Sequence, residues 1–464
     1  MHDSTRPAAL PVLDPIVAAL RSVASESSYE VYFVGGYVRD LLLGHPGKDI
    51  DCVVVHGDPV AFLTSVAAHL GWSAPVVFER FGTAQIRSDD CIVEAVRARA
   101  ESYDPSSRKP NVREGSLEDD IWRRDFTANT LCQAMDGSIL DLTGKGLADC
   151  ADAILRTPLD PEATFAEDPL RMIRAARFVA QLDFSLAPGV LDAIRKVSDR
   201  IQIVSIERIM VELQRLLLAD MPSRGLRILD DGNLLPYLIP ELVTAHGVEQ
   251  GGFHTYDVFE HTLHTIDATP ANLVTRLAAL FHDIGKPETH ALGPGGKHTF
   301  YGHAQAGATI ATHTLERLRM SQETVRAVAH LVELHLRPIQ YSGKDFSDAA
   351  VRRLIRDAGT VREEMIDLAI ADTLASSYPS IDGLVELKAR MDRLEAEGQY
   401  SRLSASLTGE EIMERAGRPP GPWIRAVKKA LEEAILDGTI PPHSPEAERL
   451  WLDEHSDLLQ DHPV

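Results

Sequence analysis

Cysteine, positive charge and long apolar runs are all scarce in this chain of 464 residues. Its four cysteines (Cys52, Cys91, Cys132, Cys150) show neither paired nor metal-like spacing. That excludes a disulfide scaffold and reads as reduced thiols. No apolar run approaches the length of a membrane span, so no membrane partner is expected. The opening MHDSTRPAALPVLDP lacks the basic start and apolar stretch of a secretion signal, which makes a cytoplasmic protein the expectation. Lys and Arg number 47 against 69 Asp and Glu, leaving a formal net charge of −22. Such a balance argues against a generic nucleic-acid binder; a nucleic-acid ligand would need a local basic face. Composition is otherwise that of a soluble globular protein, and the length exceeds what one core can organise.

The most informative stretch is YEVYFVGGYVRDLLLGHPGKDIDCVVV, Tyr29 to Val55. An apolar strand ends at Gly35-Gly36, a helix starts, and Asp49-Ile50-Asp51 opens a second strand. A glycine pair at a helix N-terminus lets backbone N–H groups approach phosphate oxygens. Two carboxylates at i, i+2 on a strand share a face, with Cα atoms roughly 6–7 Å apart. That spacing suits two Mg²⁺ ions about 3.5–4 Å apart, which clamp the attacking and leaving oxygens of a phosphoryl transfer. Glu94, in CIVEAVRARAESY, offers a third carboxylate from a neighbouring strand. Gly35, Gly36, Arg39 and Lys48 could contact a triphosphate. Together these residues look like a nucleotidyltransferase.

Two further constellations follow. In RRDFTANTL, Arg124, Asp125 and Asn129 could reach phosphate, ribose or a base edge, with Asp125 and Asn129 on one helix face. In EDPLRMIRAARF, Asp168 suits a helix N-cap before Pro169, and Arg171 falls on its face at i+3. An acceptor-only carboxylate beside a planar donor fork could read the Watson–Crick edge of a base without a template strand. The polar segment Tyr103–Asp120 reads as a mobile loop. Gly232 marks a helix stop, and GRPPGP (Gly417–Pro422) breaks the last helical segment.

A histidine-rich series occupies the second half: His261 in DVFEHTLHTID, His282-Asp283 in ALFHDIGKPETH, His303, His335 and Asp372. It mixes nitrogen and oxygen donors of the kind that hold first-row metals. Lys286 could meet a phosphate. His254 and His330 have no assigned place.

VGGYVRDLLLG with DID, FGTAQI, VEAVRARAESY, RRDFTANT, DLTGKGLAD, EDPLRMIRAARF and SIERIMVEL, in this order, resemble class II tRNA nucleotidyltransferases. These are the CCA-adding enzymes, in one family with bacterial poly(A) polymerases. The resemblance implies an α+β protein: a small mixed-sheet, polymerase-beta-like nucleotidyltransferase head, then an all-α neck, body and further helical region. It implies that Asp49 and Asp51 bind Mg²⁺, with Glu94 as the third acidic residue. It further implies that Arg124, Asp125 and Asn129 contact the incoming nucleotide, and that Asp168 and Arg171 select CTP or ATP. Thr130 stands where the family usually has Ala, and Glu94 where Asp is commoner. Arg174, Arg177, Arg195, Lys196, Lys428 and Lys429 are basic side chains available to nucleotide or tRNA. The histidine series resembles an HD phosphohydrolase. There His261, His282, Asp283 and Asp372 would be core ligands and His303 and His335 a second set, for Ni²⁺, Mn²⁺, Fe²⁺ or Mg²⁺. The expected organisation is an N-terminal segment (1–24), head (25–150), neck with nucleotide selection and RNA binding (151–245), HD domain (246–375) and helical tail (376–464). The function implied is addition of CCA to tRNA from CTP and ATP. A poly(A) polymerase, and an HD phosphohydrolase with a vestigial RNA-binding head, remain open alternatives. Oligomeric state is not legible.

Overall fold

The computed structural model describes residues 14–27, 29–45, 47–78, 82–102, 111–251, 255–341, 346–378 and 380–460. The chain forms two compact units, Met1–Leu238 and Ile239–Val464.

The first unit opens with helix α1 (Asp14–Glu26), strand β1 (Glu30–Val34), α2 (Gly36–Leu42), β2 (Ile50–Val55) and α3 (Pro59–Leu70). Asp58 caps α3 through Val60 N, and Pro59 opens its first turn. Then come β3 (Val76–Phe78), β4 (Thr83–Arg87), β5 (Ile92–Arg97), β6 (Arg99–Ser102), β7 (Asn111–Glu114), α4 (Leu117–Trp122), β8 (Cys132–Ala134) and β9 (Ile139–Leu140). Seven strands make one sheet in the order β3-β4-β5-β2-β1-β8-β9. Only β2 and β5 run parallel, so the sheet is mixed as expected. The β-branched run of β2 is buried from Cys52 to Val55, while Asp51 at its start is exposed. Val34, Val53, Val55, Ala98, Ile121 and Cys132 form a core under the sheet.

Helices dominate from there. They are α5 (Gly146–Ala151), α6 (Pro161–Glu167), α7 (Leu170–Leu182), α8 (Val190–Val197), α9 (Ile206–Leu217), α10 (Pro222–Asp231) and α11 (Leu235–Leu238). A two-residue parallel pair, β10 (Ile154–Leu155) and β11 (Ser185–Leu186), joins the segment before α6 to the segment after α7. Phe126 meets Phe178 edge-on, with ring centroids 5.8 Å apart, which joins the RRDFTANT segment to α7.

The second unit contains α12 (Pro240–Val243), α13 (Val258–Ala268), α14 (Leu273–Phe281), α15 (Lys286–Thr289), a short hairpin of β12 (Ala291–Leu292) and β13 (His298–Thr299), α16 (His303–Arg317) and α17 (Gln322–Leu334). It continues through α18 (Leu336–Tyr341), α19 (Asp348–Ala358), α20 (Arg362–Leu374), α21 (Asp382–Gly398), α22 (Gly409–Ala416), α23 (Trp423–Asp437) and α24 (Pro445–Glu454). The break in GRPPGP falls between α22 and α23, with Gly417 at φ 61° as the left-handed C-cap. The four cysteines are free and buried. Among the described residues no helix is long and apolar enough to cross a membrane.

Two local expectations need correction. Asp49 lies one residue before β2, not within it. The segment Tyr103–Asp120 is not one loop: β7 pairs with β6, and Ser116 and Asp119 form a capping box that starts α4. Ser-x-x-acid is a helix-start signal that overall polarity hid; residues 103–110 lie outside the described residues. Gly232 does stop α10, but at φ −79°; the left-handed residue is Asn233 at φ 56°.

Gly225 marks the tightest helix approach in the neck. A Cβ there would sit 2.7 Å from the Ala176 carbonyl oxygen and 2.9 Å from Leu216 Cδ1. Gly225→Ala is therefore expected to lower unfolding free energy by about 1–3 kcal/mol, as overpacking does, read as a lower denaturation midpoint.

Candidate functional site

The first site lies at the end of β1 and the start of β2. Gly35 adopts φ 69°, ψ −134°, a conformation that side chains beyond glycine rarely take. A Cβ at Gly35 would lie 2.9 Å from Arg124 Nη1 and 3.9 Å from Asp51 Oδ2. The bare glycine thus admits a guanidinium beside the carboxylate. Asp51 stands opposite Glu94 in the parallel β2–β5 register. Crowding by protein lifts the Asp51 carboxyl; Arg124 opposes this and Asp49 adds to it. Burial, reinforced by Asp51, lifts Glu94 too. Mutually repelling carboxylates of this kind are relieved by cations, and all-oxygen donors fit Mg²⁺. They do not converge as closely as the histidine groups described below. Lys48 is exposed, 4.0 Å from Asp90.

Behind this corner is a buried polar chain. Arg39 Nη1 donates to Asn129 Oδ1 at 2.6 Å, and Asn129 Nδ2 donates to Asp125 Oδ1 at 2.9 Å. Asp125 Oδ2 accepts from Arg174 Nε at 2.7 Å. Arg174 and Arg177 both pair with Glu212, at 3.4 and 3.0 Å. Three of these guanidiniums surround the Phe178 ring: Arg39 at 5.1 Å, Arg174 at 5.3 Å and Arg177 at 4.2 Å from its centroid. Burial would raise the Asp125 carboxyl, yet Arg174 and Asn129 outweigh it and hold it down to about 2. Burial brings Arg177 down to about 10 although Glu212 pulls the other way. Asp120, fully buried, holds Arg123 and Arg124. Asp125 and Asn129 do touch, as their spacing implied, but through a single 3₁₀ turn (Thr127–Asn129) rather than an α-helix.

Asp168 and Arg171 do not face each other. Asp168 Oδ1 accepts from Leu170 N at 3.2 Å and Oδ2 from Arg208 Nη2 at 3.0 Å. Arg171 turns inward, donating to the Thr164 carbonyl at 3.0 Å and the Arg123 carbonyl at 2.5 Å, with Glu167 at 3.3 Å. The i, i+3 argument predicted the same helix face. Pro169 starts the helical turn, which leaves Asp168 extended (φ −129°, ψ 98°) outside it.

The second site lies wholly within the second unit. His261 (α13), His282 (end of α14) and Asp372 (α20) converge, and so do Asp283, His303 (start of α16) and His335 (end of α17); donors within each trio lie no more than 4.8 Å apart. Asp283 joins the trios. Its Oδ2 is 3.3 Å from His282 Nε2 and 3.7 Å from His261 Nε2; its Oδ1 is 3.5 Å from His303 Nε2 and 3.7 Å from His335 Nε2. Metal bonds of about 2.0–2.2 Å place adjacent donors about 3.0–3.5 Å apart, so the spacing fits two ions sharing a carboxylate. Nδ1 of His282, His303 and His335 points to the carbonyls of Ala279, Phe300 and Val332, at 2.7, 2.7 and 2.6 Å. A carbonyl can only accept, so Nδ1 carries the proton and Nε2 presents its lone pair inward. Facing Nε2 pairs at 3.2 Å (His261–His282) and 3.3 Å (His303–His335) suit a cation between them.

Burial brings the His335 imidazole down to about 4, against the pull of Asp283, and lowers His303 as well. Burial opposes ionisation of Asp372, but His261 and His282 hold its carboxyl at about 2. Burial opposes protonation of His282, but Asp283 and Asp372 outweigh it and raise that imidazole; neutral imidazoles, as at His303 and His335, with ionised carboxylates are the ligand forms a divalent ion needs. Gly285 makes the approach possible: a Cβ would overlap the His303 carbonyl and reach within 2.7 Å of Gly307 N. Lys286 Nζ binds Asp283 Oδ2 and Gln250 Oε1, each at 2.5 Å. It lines a cavity of about 930 Å³ beside His303, with Phe300, Tyr301 and Arg337. His330 is apart, bonded to the Asp357 carbonyl at 2.7 Å; His254 lies outside the described residues.

The family description "Poly A polymerase head domain" matches residues 31–156, "Probable RNA and SrmB- binding site of polymerase A" residues 183–245, and "HD domain" residues 254–396. The A-adding tRNA nucleotidyltransferase of Deinococcus radiodurans is 33% identical over 438 residues, 91% of this chain and 95% of that protein. The chain belongs to the tRNA nucleotidyltransferase family. A CC-adding member from Thermus thermophilus is 33% identical over 89% of this chain and 91% of its own length. The fold is that of the Bacillus stearothermophilus CCA-adding enzyme solved with CTP, at TM-score 0.68 and 23% identity, covering 97% of this chain and 98% of that one.

Among tRNA nucleotidyltransferase positions, sequence reasoning missed four with visible structural work: Asp120, Phe178, Glu212 and Arg208. Arg208 and Glu212 are i, i+4 on α9 and so project on one face toward α7, a spacing legible in SIERIMVEL. Arg195 and Lys196, read as available cations, pair internally with Asp192 and Glu162. Lys428 and Lys429 instead line a groove of about 870 Å³ with Arg356 and Arg425. Asp283→Asn should cut bound divalent metal in the second unit from about two equivalents to one or fewer, measured by elemental analysis, because one shared carboxylate oxygen becomes an amide.

Proposed function

We propose that the protein extends tRNA 3′ ends from CTP and ATP without a nucleic-acid template, and that its second unit hydrolyses phosphoesters. The carrying observation for the first activity is the Gly35 corner, where Arg124 and Asp51 meet opposite Glu94. In this reading Asp49 and Asp51 hold Mg²⁺, which supplies Lewis acidity for attack of the 3′-hydroxyl on the nucleotide α-phosphate. The chain's own contribution is positional. Gly35 leaves room for phosphate oxygens, and Arg124, fixed by Asp120, sets a cation beside them. Asp125 and Asn129 are braced by Arg174 and Arg39 to meet ribose. Asp168, as a carboxylate acceptor, favours the exocyclic amino groups of cytosine and adenine over the carbonyls of uracil and guanine.

The twin histidine trios support the second activity. His261, His282 and Asp372 would hold one divalent ion and His303 and His335 another, with Asp283 shared. Ni²⁺, Mn²⁺, Fe²⁺ and Mg²⁺ all remain compatible with such mixed donors. Lys286 and Arg337 line the adjoining cavity as counter-charges for a phosphoester.

A second reading concerns completeness. Relatives at 33% identity over most of this chain are named for A addition and for CC addition. A partial activity, A-only or CC-only, is therefore a specific alternative to full CCA addition.

Transcripts ending before CCA, after C and after CC, offered CTP and ATP separately and together, distinguish these outcomes. Ordered C, C, A with a stop is the expected result. Extension of only one class of end would assign a partial activity, and unlimited ATP runs a poly(A) polymerase. Asp51→Ala should reduce every addition at least about 10³-fold, in line with loss of an electrostatic catalytic group, while phosphoester hydrolysis persists.

A further inference from the structure

Asp168 is held at both oxygens. Oδ1 is anchored to its own helix start by Leu170 N, and Oδ2 is anchored across the neck by Arg208 of α9. The carboxylate is mostly buried and the guanidinium about half exposed. Arg171, the residue that sequence spacing places beside Asp168, spends its donors on two backbone carbonyls and Glu167. The ion pair that fixes the Asp168 carboxylate plane is therefore with Arg208, 40 residues away in sequence.

We propose that Arg208 is a positioning residue for base selection: it holds the Asp168 carboxylate as a singly oriented acceptor. This rests on the reading of Asp168 as the group that meets the base. The physical argument concerns lone pairs. A carboxylate oxygen can accept more than one hydrogen bond, so Oδ2 can keep Arg208 and still take an amino group from cytosine N4 or adenine N6. A uracil O4 or guanine O6 placed there meets an acceptor facing an acceptor and is rejected. That rejection needs a carboxylate that does not swing. Leu170 N alone leaves Oδ2 free to rotate about the remaining anchor; Arg208 removes that freedom. Glu212, one turn on from Arg208, holds Arg174 and Arg177 of α7, so the face of α9 that positions Asp168 is itself fixed.

The test is single-nucleotide addition to tRNA transcripts, with kcat and KM for CTP, UTP, ATP and GTP measured separately. In Arg208→Ala the preference for CTP over UTP, as a ratio of kcat/KM, should fall about tenfold, the weight of one charge-assisted hydrogen bond. Arg208→Lys keeps a donor and a charge, and should recover most of the preference. General destabilisation would lower all four nucleotides together and leave the ratio unmoved. An unchanged ratio in Arg208→Ala, or a Lys variant as permissive as the Ala variant, would overturn the proposal. Asp168→Ala separates the two levels. If it loses the preference while Arg208→Ala keeps it, the positioning role alone fails. If it too keeps the preference, Asp168 is not the base reader, and the proposal falls with that reading.

Discussion

Arg39, Arg174 and Arg177 crowd around the ring of Phe178, and the geometry of the nucleotide site depends on how that crowding is resolved. Three like charges in a buried space are unfavourable unless each finds an anion or a strong acceptor. Asp125, Glu212 and Asn129 provide those partners, and the ring face provides a quadrupole. The result is a rigid connection. Arg39 belongs to α2, Asn129 and Asp125 to the segment after α4, Phe178, Arg174 and Arg177 to α7, and Glu212 to α9. One network thus fixes the glycine corner, Asp125 and Asn129, and the helix that follows Asp168 relative to each other. Burial brings Arg177 down while the carboxylates around it oppose the change, which shows how closely desolvation and pairing are balanced here.

The second unit solves a related problem differently. There the buried charges are carboxylates, and burial keeps the His303 and His335 imidazoles neutral, while Asp283 and Asp372 draw His282 up against its burial. Lone pairs converge on two centres and backbone carbonyls fix the tautomers. Such a cluster is stable only if something positive completes it; Lys286 supplies part of that charge at Asp283. The head uses surface carboxylates around an open corner, which suits a cation that arrives with nucleotide. The second site is enclosed and suits resident ions.

Fold class and the convergence of the histidine series were legible in the sequence because they rest on short-range signals. Apolar strands ending in Gly35-Gly36, the Asp49–Asp51 spacing and the His282-Asp283 pair are all local patterns. The Tyr103–Asp120 reading failed in part because polarity outweighed the Ser116–Asp119 capping box. The Asp168–Arg171 pairing failed because Arg171 turns its guanidinium to the Thr164 and Arg123 carbonyls, while Asp168, capping the helix start through Leu170 N, pairs with Arg208. Arg208 and Glu212 could not be assigned roles from sequence because their partners are 30 or more residues away, on a helix whose facing is set by tertiary packing. The shared position of Asp283 between two trios was likewise invisible, since it depends on the orientation of one carboxylate.

The central claim is that the charge network around Phe178 holds the nucleotide site in working geometry. Its most direct test is Glu212→Gln, which preserves shape but removes the anion between Arg174 and Arg177. The account predicts a kcat for CTP and ATP addition at least about tenfold lower in protein that remains folded at assay temperature, as expected when a buried pair loses one partner. Unchanged kcat for both nucleotides in the folded variant would contradict it, and would reduce the network to a packing feature with no hold on the reaction.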